Sequence, residues 1–79
     1  MTNQIVTLGI KIENFEKIPE VNSLLHQFSD CIICRMGMPY EKRNLRLIHV
    51  VMDTKKSDAE RLVQQLNGIS GVSAQDMIF

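Results

Sequence analysis

The sequence predicts an α+β domain of the ferredoxin-like type, a βαββαβ sandwich in which a four-stranded antiparallel sheet carries two helices on one face. Apolar residues recur at every second position in the segments predicted as strands and follow a helical period in those predicted as helices. Right-handed crossovers bring both helices to the same face of such a sheet. The 79 residues therefore predict one domain over 1–79 and leave too little chain for a second.

The first half of the chain is predicted to contain a strand, a helix and a second strand. Apolar residues alternate over 4–13, as in a half-buried strand. Asn14 offers a turn or a cap, and Pro19 needs no backbone N–H if a helix begins near it. This helix extends through Phe28, and the second strand spans 31–38. The residues expected on the apolar stripe of the helix are Ile18, Val21, Leu24, Leu25 and Phe28.

The second half is predicted to contain a strand, a helix and a final strand. A polar turn over 40–44 leads into the third strand, over 45–53, which forms a hairpin with the second. Ser57 and Glu60 match the capping box that begins many helices, and Gly68 is placed to end the same helix at its C′ position. The last strand is expected over 71–79.

One face of the predicted sheet lies away from both helices and carries several large aliphatic residues. The expected members of this face include Thr7, Gly9 and His49, and Arg35 joins them if Ile32 and Cys34 face the core. A contiguous apolar patch marks an association site, and a core this small gains from a partner chain. We therefore expect a homo-oligomer, specifically a dimer. The alternative is that these residues are simply exposed, since scattered exposed apolar residues are common on protein surfaces. The predicted interface residues are Ile5, Ile33, Leu45, Leu47 and Val51.

The same face offers a candidate ligand site. His49 interrupts the aliphatic row of the third strand, and Arg35 lies opposite it if the hairpin turn centres near residues 41–42. A guanidinium and an imidazole beside Thr7 can bind an anion or a carboxylate. The alternative is that these groups bond the carbonyl groups of a partner subunit. The predicted ligand-binding residues are thus Arg35, His49 and Thr7, with a small-molecule effector as the expected ligand.

The Cys31-Ile32-Ile33-Cys34 spacing is the feature most suggestive of a metal or redox site. On a regular strand, however, residues three apart point to opposite faces with Cα atoms about 10 Å apart, which exceeds the reach of a disulfide. The cysteines are therefore expected to stay unpaired, with Cys34 as a small core residue. Two histidines, His26 and His49, are too few for a metal site within one chain. The sequence predicts no metal and no cofactor.

Composition and charge exclude several further classes. Hydrophobic residues at 44% and charged residues at 23% indicate a globular chain. Nine Lys and Arg balance nine Asp and Glu, so no net field attracts nucleic acid or a membrane, and Lys42, Arg43 and Arg46 are expected in a solvated hairpin. No catalytic motif is evident, so we expect a protein that is not an enzyme. A start without a signal peptide and the absence of long apolar runs predict a cytoplasmic location.

Three segments together resemble one family, and the resemblance covers nearly the whole chain. They are Val21-Asn22-Ser23-Leu24-Leu25-His26-Gln27-Phe28-Ser29-Asp30, Arg35-Met36-Gly37-Met38-Pro39 and Ile69-Ser70-Gly71-Val72, and they look like the iron-only hydrogenase system regulators. That family is similar to ACT domains and to the C-terminal domain of the nickel-responsive repressor.

The resemblance implies an ACT-like, effector-sensing regulator of hydrogenase expression or assembly, with a role as a transcriptional regulator among the possibilities. The resemblance does not imply nickel binding. His49 is the single residue of this chain that lies in a region comparable to that of the repressor's metal ligands. The resemblance also leaves an alternative open, a non-sensing accessory module for protein–protein interaction in hydrogenase maturation. We expect no direct binding of nucleic acid in either case.

Overall fold

The computed structural model describes residues 2–79, and over these residues it confirms the predicted fold class. The strands form one antiparallel sheet in the order β2-β3-β1-β4, so that β1 and β3 are central and β2 and β4 are edges. In chain order the elements are β1 (Gln4–Ile12), α1 (Ile18–His26), β2 (Ile32–Tyr40), β3 (Leu45–Thr54), α2 (Lys56–Asn67) and β4 (Val72–Ile78). Short 3-10 helices occupy Phe15–Lys17, Ser29–Cys31 and Glu41–Arg43. No helix within residues 2–79 is long and apolar enough to cross a membrane.

The core lies between the helices and one face of the sheet. Alternate residues of β1 point into it, as the period of two predicts, and Val21 and Leu25 of α1 are completely buried against them. From α2 the core receives Leu62 and Leu66, one helical turn apart. Burying one such aliphatic side chain stabilises the fold by about 1.5–3 kcal/mol. The core residues from the strands are Leu8, Ile10, Ile12, Ile48, Val50, Met52, Val72 and Ala74.

The turn after β1 is fixed by one asparagine and one glycine. The Asn14 side chain accepts a hydrogen bond from the backbone N–H of Glu16 at 3.1 Å, as its capping chemistry predicts. Gly71 adopts a positive φ of 79°, and a Cβ atom there would lie 2.8 Å from the Cβ of Asn14. The Gly71 carbonyl accepts a 2.8 Å hydrogen bond from the N–H of Glu13. Only glycine lets this segment approach the end of β1 so closely.

The predicted ends of α2 are wrong in detail. The helix begins at Lys56, with Lys55 as its N-cap, and no side chain caps it. Ser57 therefore lies inside the first turn, where the expected capping box with Glu60 cannot form. Gly68 follows the helix with a φ of −77°, so it is not the left-handed C′ residue that was expected. The left-handed conformation is found instead at Gly71 and, after the β2–β3 turn, at Asn44.

A bulge in β2 changes the side that each of its residues faces. Ile32 pairs with Met52 and Cys34 pairs with Val51, so Ile33 is an extra residue between them. The alternation is shifted by one position beyond it, because two residues of β2 oppose one of β3. Met36, not Arg35, therefore pairs with His49. The expectation that Arg35 shares the face of His49 is wrong for this reason.

The structure also differs from the prediction in the positions of three other residues. Cys34 is exposed and does not lie in the core, and Cys31 belongs to the 3-10 turn that precedes β2. The argument that both cysteines occupy one regular strand is thus wrong, although their lack of pairing stays a prediction. Leu45, expected on the apolar open surface, is buried with only 4% of its surface exposed.

Candidate functional site

The face of the sheet opposite the helices, here called the open face, presents three adjacent rows of residues. Each row crosses the sheet from β2 through β3 and β1 to β4, following the observed register. The rows are Cys34, Val51, Thr7 and Met77; Met36, His49, Gly9 and Gln75; and Met38, Leu47, Lys11 and Ser73. The central strands thus contribute both polar and apolar side chains, and methionines lie on the edge strands β2 and β4.

A shallow depression lies on the open face above Gly9. Its volume is about 540 Å³, and a Cβ atom added to Gly9 would meet nothing within 4 Å. Gly9 therefore forms the floor of a gap between larger neighbours on the adjoining strands. The side chains that line the depression are Lys11, Met38, Leu47, His49, Ser73 and Gln75.

The depression combines apolar walls with hydrogen-bonding groups, which is typical of small-ligand sites. Lys11 and His49 are diagonal neighbours on β1 and β3, and Gln75, which pairs with Gly9, adds an amide from β4. Lys11 also forms an ion pair with Glu13, with 3.5 Å between Nζ and Oε1, but both side chains are largely exposed and such pairs are weak. The ammonium therefore remains able to bind an anion or an accepting carbonyl group.

The structure brings two of the three predicted ligand-binding residues together. Thr7 and His49 lie on the open face in adjacent rows, with Thr7 half-buried and just outside the depression. Arg35 lies on the opposite side of the sheet, where its guanidinium donates a hydrogen bond to the side-chain oxygen of Asn22 on α1. Lys11, Ser73 and Gln75 were not predicted as site residues. Ser73 and Gln75 belong to β4, and nothing local in β4 indicates which residues of β1 it adjoins.

The open face carries more exposed apolar residues than the sequence predicted. Leu47 and Ile5 are exposed at 37% and 41%, as expected of interface residues, and Val51 is half-buried. Ile33 is exposed at 61%, within the bulge. The methionines at positions 36, 38 and 77 are exposed at 54%, 47% and 59%. Met36 and Met38 were missed because the bulge reverses the alternation of β2, whereas Met77 belongs to β4. Flexible, polarizable methionines suit a surface that adapts to a partner.

Another depression and the possible metal ligands are weaker candidates for a functional site. A depression of about 650 Å³ near the start of α2 is larger, yet all of its lining residues except Gln4 are exposed. Within residues 2–79, no group of three or more His, Cys, Asp or Glu side chains is placed to hold a metal ion. The depression above Gly9 is therefore the better candidate, because it joins an imidazole, an ammonium and an amide in one place.

Comparisons with solved structures support both the fold and its assignment. The uncharacterized protein TM1266 from Thermotoga maritima superposes with a TM-score of 0.92 at 29% identity, covering 98% of each chain. The C-terminal domain of the MgtC protein from Mycobacterium tuberculosis gives 0.70 at 18% identity, over 99% of this chain and 89% of that one. A formyltetrahydrofolate deformylase from Pseudomonas putida KT2440 gives 0.66 at 10% identity, over 92% of this chain and 28% of that one. The last two likenesses show the fold alone.

The family model agrees with the segments that first indicated a resemblance. It matches residues 4–76 and is described as "TM1266-like: Iron-only hydrogenase system regulator, putative". No curated protein sequence matches the chain. The match spans both helices and all of the sheet except the last two residues of β4, and it includes the Arg35–Pro39 and Ile69–Val72 segments. The chain therefore belongs to the TM1266-like family of iron-only hydrogenase system regulators.

Proposed function

We propose that this protein is a small homo-oligomeric regulatory domain of the iron-only hydrogenase system, which senses a small effector where two subunits meet. The observation that carries the proposal is the open face, where exposed Leu47 and Met38 line the depression above Gly9 and exposed Met36 pairs with His49 beside it. The family name supports regulation, whereas the assembly and the effector are inferred from this surface. We further propose that the protein acts in the cytoplasm and without catalysis.

The energetics favour association through this face. Burying one large aliphatic side chain is worth about 1.5–3 kcal/mol, so several together rival the total stability of a domain, about 5–15 kcal/mol. A two-fold arrangement would use the same patch on both chains. It would also bring the two depressions close to the contact. An effector bound there would lose more water than on one open chain, and the groups of His49 and Lys11 would bind it more strongly.

Regulation then follows from linkage. An effector that binds only the assembled state shifts the equilibrium toward that state by an amount set by its concentration and its dissociation constant. His49 is the residue we expect to contact the effector, since its imidazole lies beside the floor at Gly9. Thr7, in the next row, is expected to contribute a hydroxyl group from the edge of the site.

The oligomeric state tests the first half of the proposal. Sedimentation equilibrium at micromolar concentration should find a dimer for the unmodified chain and a monomer of 9.1 kDa for Leu47→Lys, because the ammonium would be buried without a partner. Gln64→Lys, at an exposed position of α2, is the matched control and should remain a dimer. A monomer without any substitution, or a dimer that tolerates Leu47→Lys, would count against the open face as the interface.

Native mass spectrometry of freshly purified protein tests the second half. A retained mass present in the unmodified dimer and lost in His49→Ala would support sensing at the subunit contact. A dimer that carries no ligand and gains no thermal stability from cell extract metabolites would instead favour the accessory interaction module of hydrogenase maturation.

A further inference from the structure

A second depression lies on the helix side of the sheet, beside the edge strand β2. Its volume is about 310 Å³, and it is lined by Asn22, Arg35, Gly37, Arg46 and Ile48. This surface remains accessible because no helix covers β2, whose residues from 33 to 40 are all exposed. The depression is on the opposite side of the sheet from the open face, so it is independent of the proposed subunit contact.

The sheet register places Arg35 and Arg46 in the rows before and after Gly37. Gly37 pairs with Ile48 in the row between Arg35, which pairs with Val50, and Arg46, which pairs with Pro39. Arg35 and Arg46 are therefore two rows apart on adjacent strands, and Gly37, which has no side chain, lies in the row between them. Both arginines nevertheless line the same depression. A Cβ atom at Gly37 would meet nothing within 4 Å, so the space between the two arginines is open.

Neither arginine has its charge compensated within the described chain. Over residues 2–79 the ion pairs involve Lys11, Lys17 and Arg61, and none involves Arg35 or Arg46. The guanidinium of Arg35 donates to the side-chain oxygen of Asn22, which orients it and leaves most of its five N–H donors free. None of the residues that line the depression carries a carboxylate, so an anion bound there would offset the two positive charges.

We infer that Asn22, Arg35 and Arg46 form a binding site for a small phosphate-bearing anion. Guanidinium groups match phosphate oxygens with paired hydrogen bonds, and the two positive charges balance a phosphate dianion. A monocarboxylate would leave one of the charges uncompensated. The volume is at the lower end of the range for ligand sites, which suits a phosphate group with little attached to it. Arg46 of β3, Arg35 of β2 and Asn22 of α1 would all contact the same ligand.

Titration with inorganic phosphate, followed by NMR at constant ionic strength, tests this inference. The Nε–H signals of Arg35 and Arg46 should shift along a saturable curve. Arg46→Gln and Arg35→Gln should each weaken binding by about tenfold or more, since each removes a charge-assisted pair of hydrogen bonds. Arg43→Gln, in the exposed 3-10 turn nearby, should weaken it less than about twofold. Unchanged melting temperatures would show that the substituted chains remain folded.

Two further titrations identify the ligand class. Glycerol 3-phosphate binding more tightly than inorganic phosphate would assign the site to phosphate monoesters, and the reverse order would assign it to the free anion. Leu47→Lys should still bind phosphate, so that failure of the proposed assembly and failure of this site are distinguishable. The inference is overturned if acetate binds as tightly as phosphate, if the shifts do not saturate, or if Arg43→Gln weakens binding as much as Arg46→Gln.

Discussion

Asn67 shows how one side chain can complete a sheet at its edge. The strand β4 has a neighbour, β1, on one side only, so some of its backbone groups point outward. The Asn67 amide donates to the carbonyl oxygen of Ala74 at 3.1 Å and accepts from the N–H of Ala74 at 2.8 Å. The last residue of α2 thus takes the place of a further strand, and it joins the helix to the edge of the sheet.

Replacing Asn67 with Ala should lower the free energy of unfolding by about 1–3 kcal/mol, because two hydrogen bonds of about 0.5–1.5 kcal/mol each are lost. Urea unfolding followed by circular dichroism measures the change. Gln65→Ala, on the exposed side of the same helix, should change the value by less than about 0.5 kcal/mol. Equal losses in the two variants would contradict the clamp on Ala74, because Ala has a higher helix propensity than Asn or Gln and cannot destabilise the helix by that route.

Among the elements, α2 begins without a residue that stabilises the N-terminus of a helix. Lys55 occupies the N-cap position with a φ of −69° and a ψ of 143°, the extended conformation that capping residues adopt. Its side chain makes no capping hydrogen bond, and Lys56 follows it. Both ammonium groups lie at the positive end of the helix dipole, which is the unfavourable end for a cation.

Lys55→Asp should therefore raise the free energy of unfolding by about 1 kcal/mol, since a carboxylate at this position can accept a hydrogen bond from the first turn. Ser57→Ala should have an effect below about 0.5 kcal/mol, because Ser57 is not the cap. Thermal and urea unfolding measure both changes. A loss of about 1 kcal/mol in Ser57→Ala would instead support the capping box that the sequence predicts and the structure lacks.

At the scale of the whole molecule, the strands extend well beyond the helices. The molecule measures 41 × 19 × 18 Å. A strand of ten residues such as β3 is about 33 Å long, whereas α1, with nine residues, spans about 14 Å. One face of the sheet is left without helices, and β2 is left exposed on both faces. Both candidate binding surfaces lie in these uncovered regions.

The distribution of charge predicts that the protein alone does not bind duplex DNA appreciably. The formal net charge is zero, and both helices pack on the sheet, so neither is free to enter the major groove. The cations near the β2–β3 hairpin can neutralise only a few phosphate groups, which gives weak, salt-sensitive contacts. A gel shift with random duplex at about 150 mM salt should show no complex at micromolar protein. A clear complex under these conditions would indicate that the regulator acts on DNA directly.

The sequence by itself determined the elements, their order and the family. The alternation of apolar residues in β1 and β3 and the apolar stripes of α1 and α2 are local patterns. Each depends only on residues a few positions apart in the sequence. The order of the elements then restricts the topology to the observed sheet. Leu47, Thr7 and His49 were placed on the correct face because β1 and β3 are regular strands.

Only the tertiary structure decided which residues of β2 face which side. Ile33 looks like any strand residue, and no local pattern marks it as the extra residue of a bulge. A shift of one position moves every later side chain of β2 to the other face, so Arg35, Met36 and Met38 lie on the opposite sides from those predicted. The same is true of Lys11 with Gln75 and of Asn67 with Ala74, which are brought together by strand pairing and helix packing between distant parts of the chain. Such contacts depend on register and crossover geometry, and these are properties of the assembled sheet that no single segment encodes.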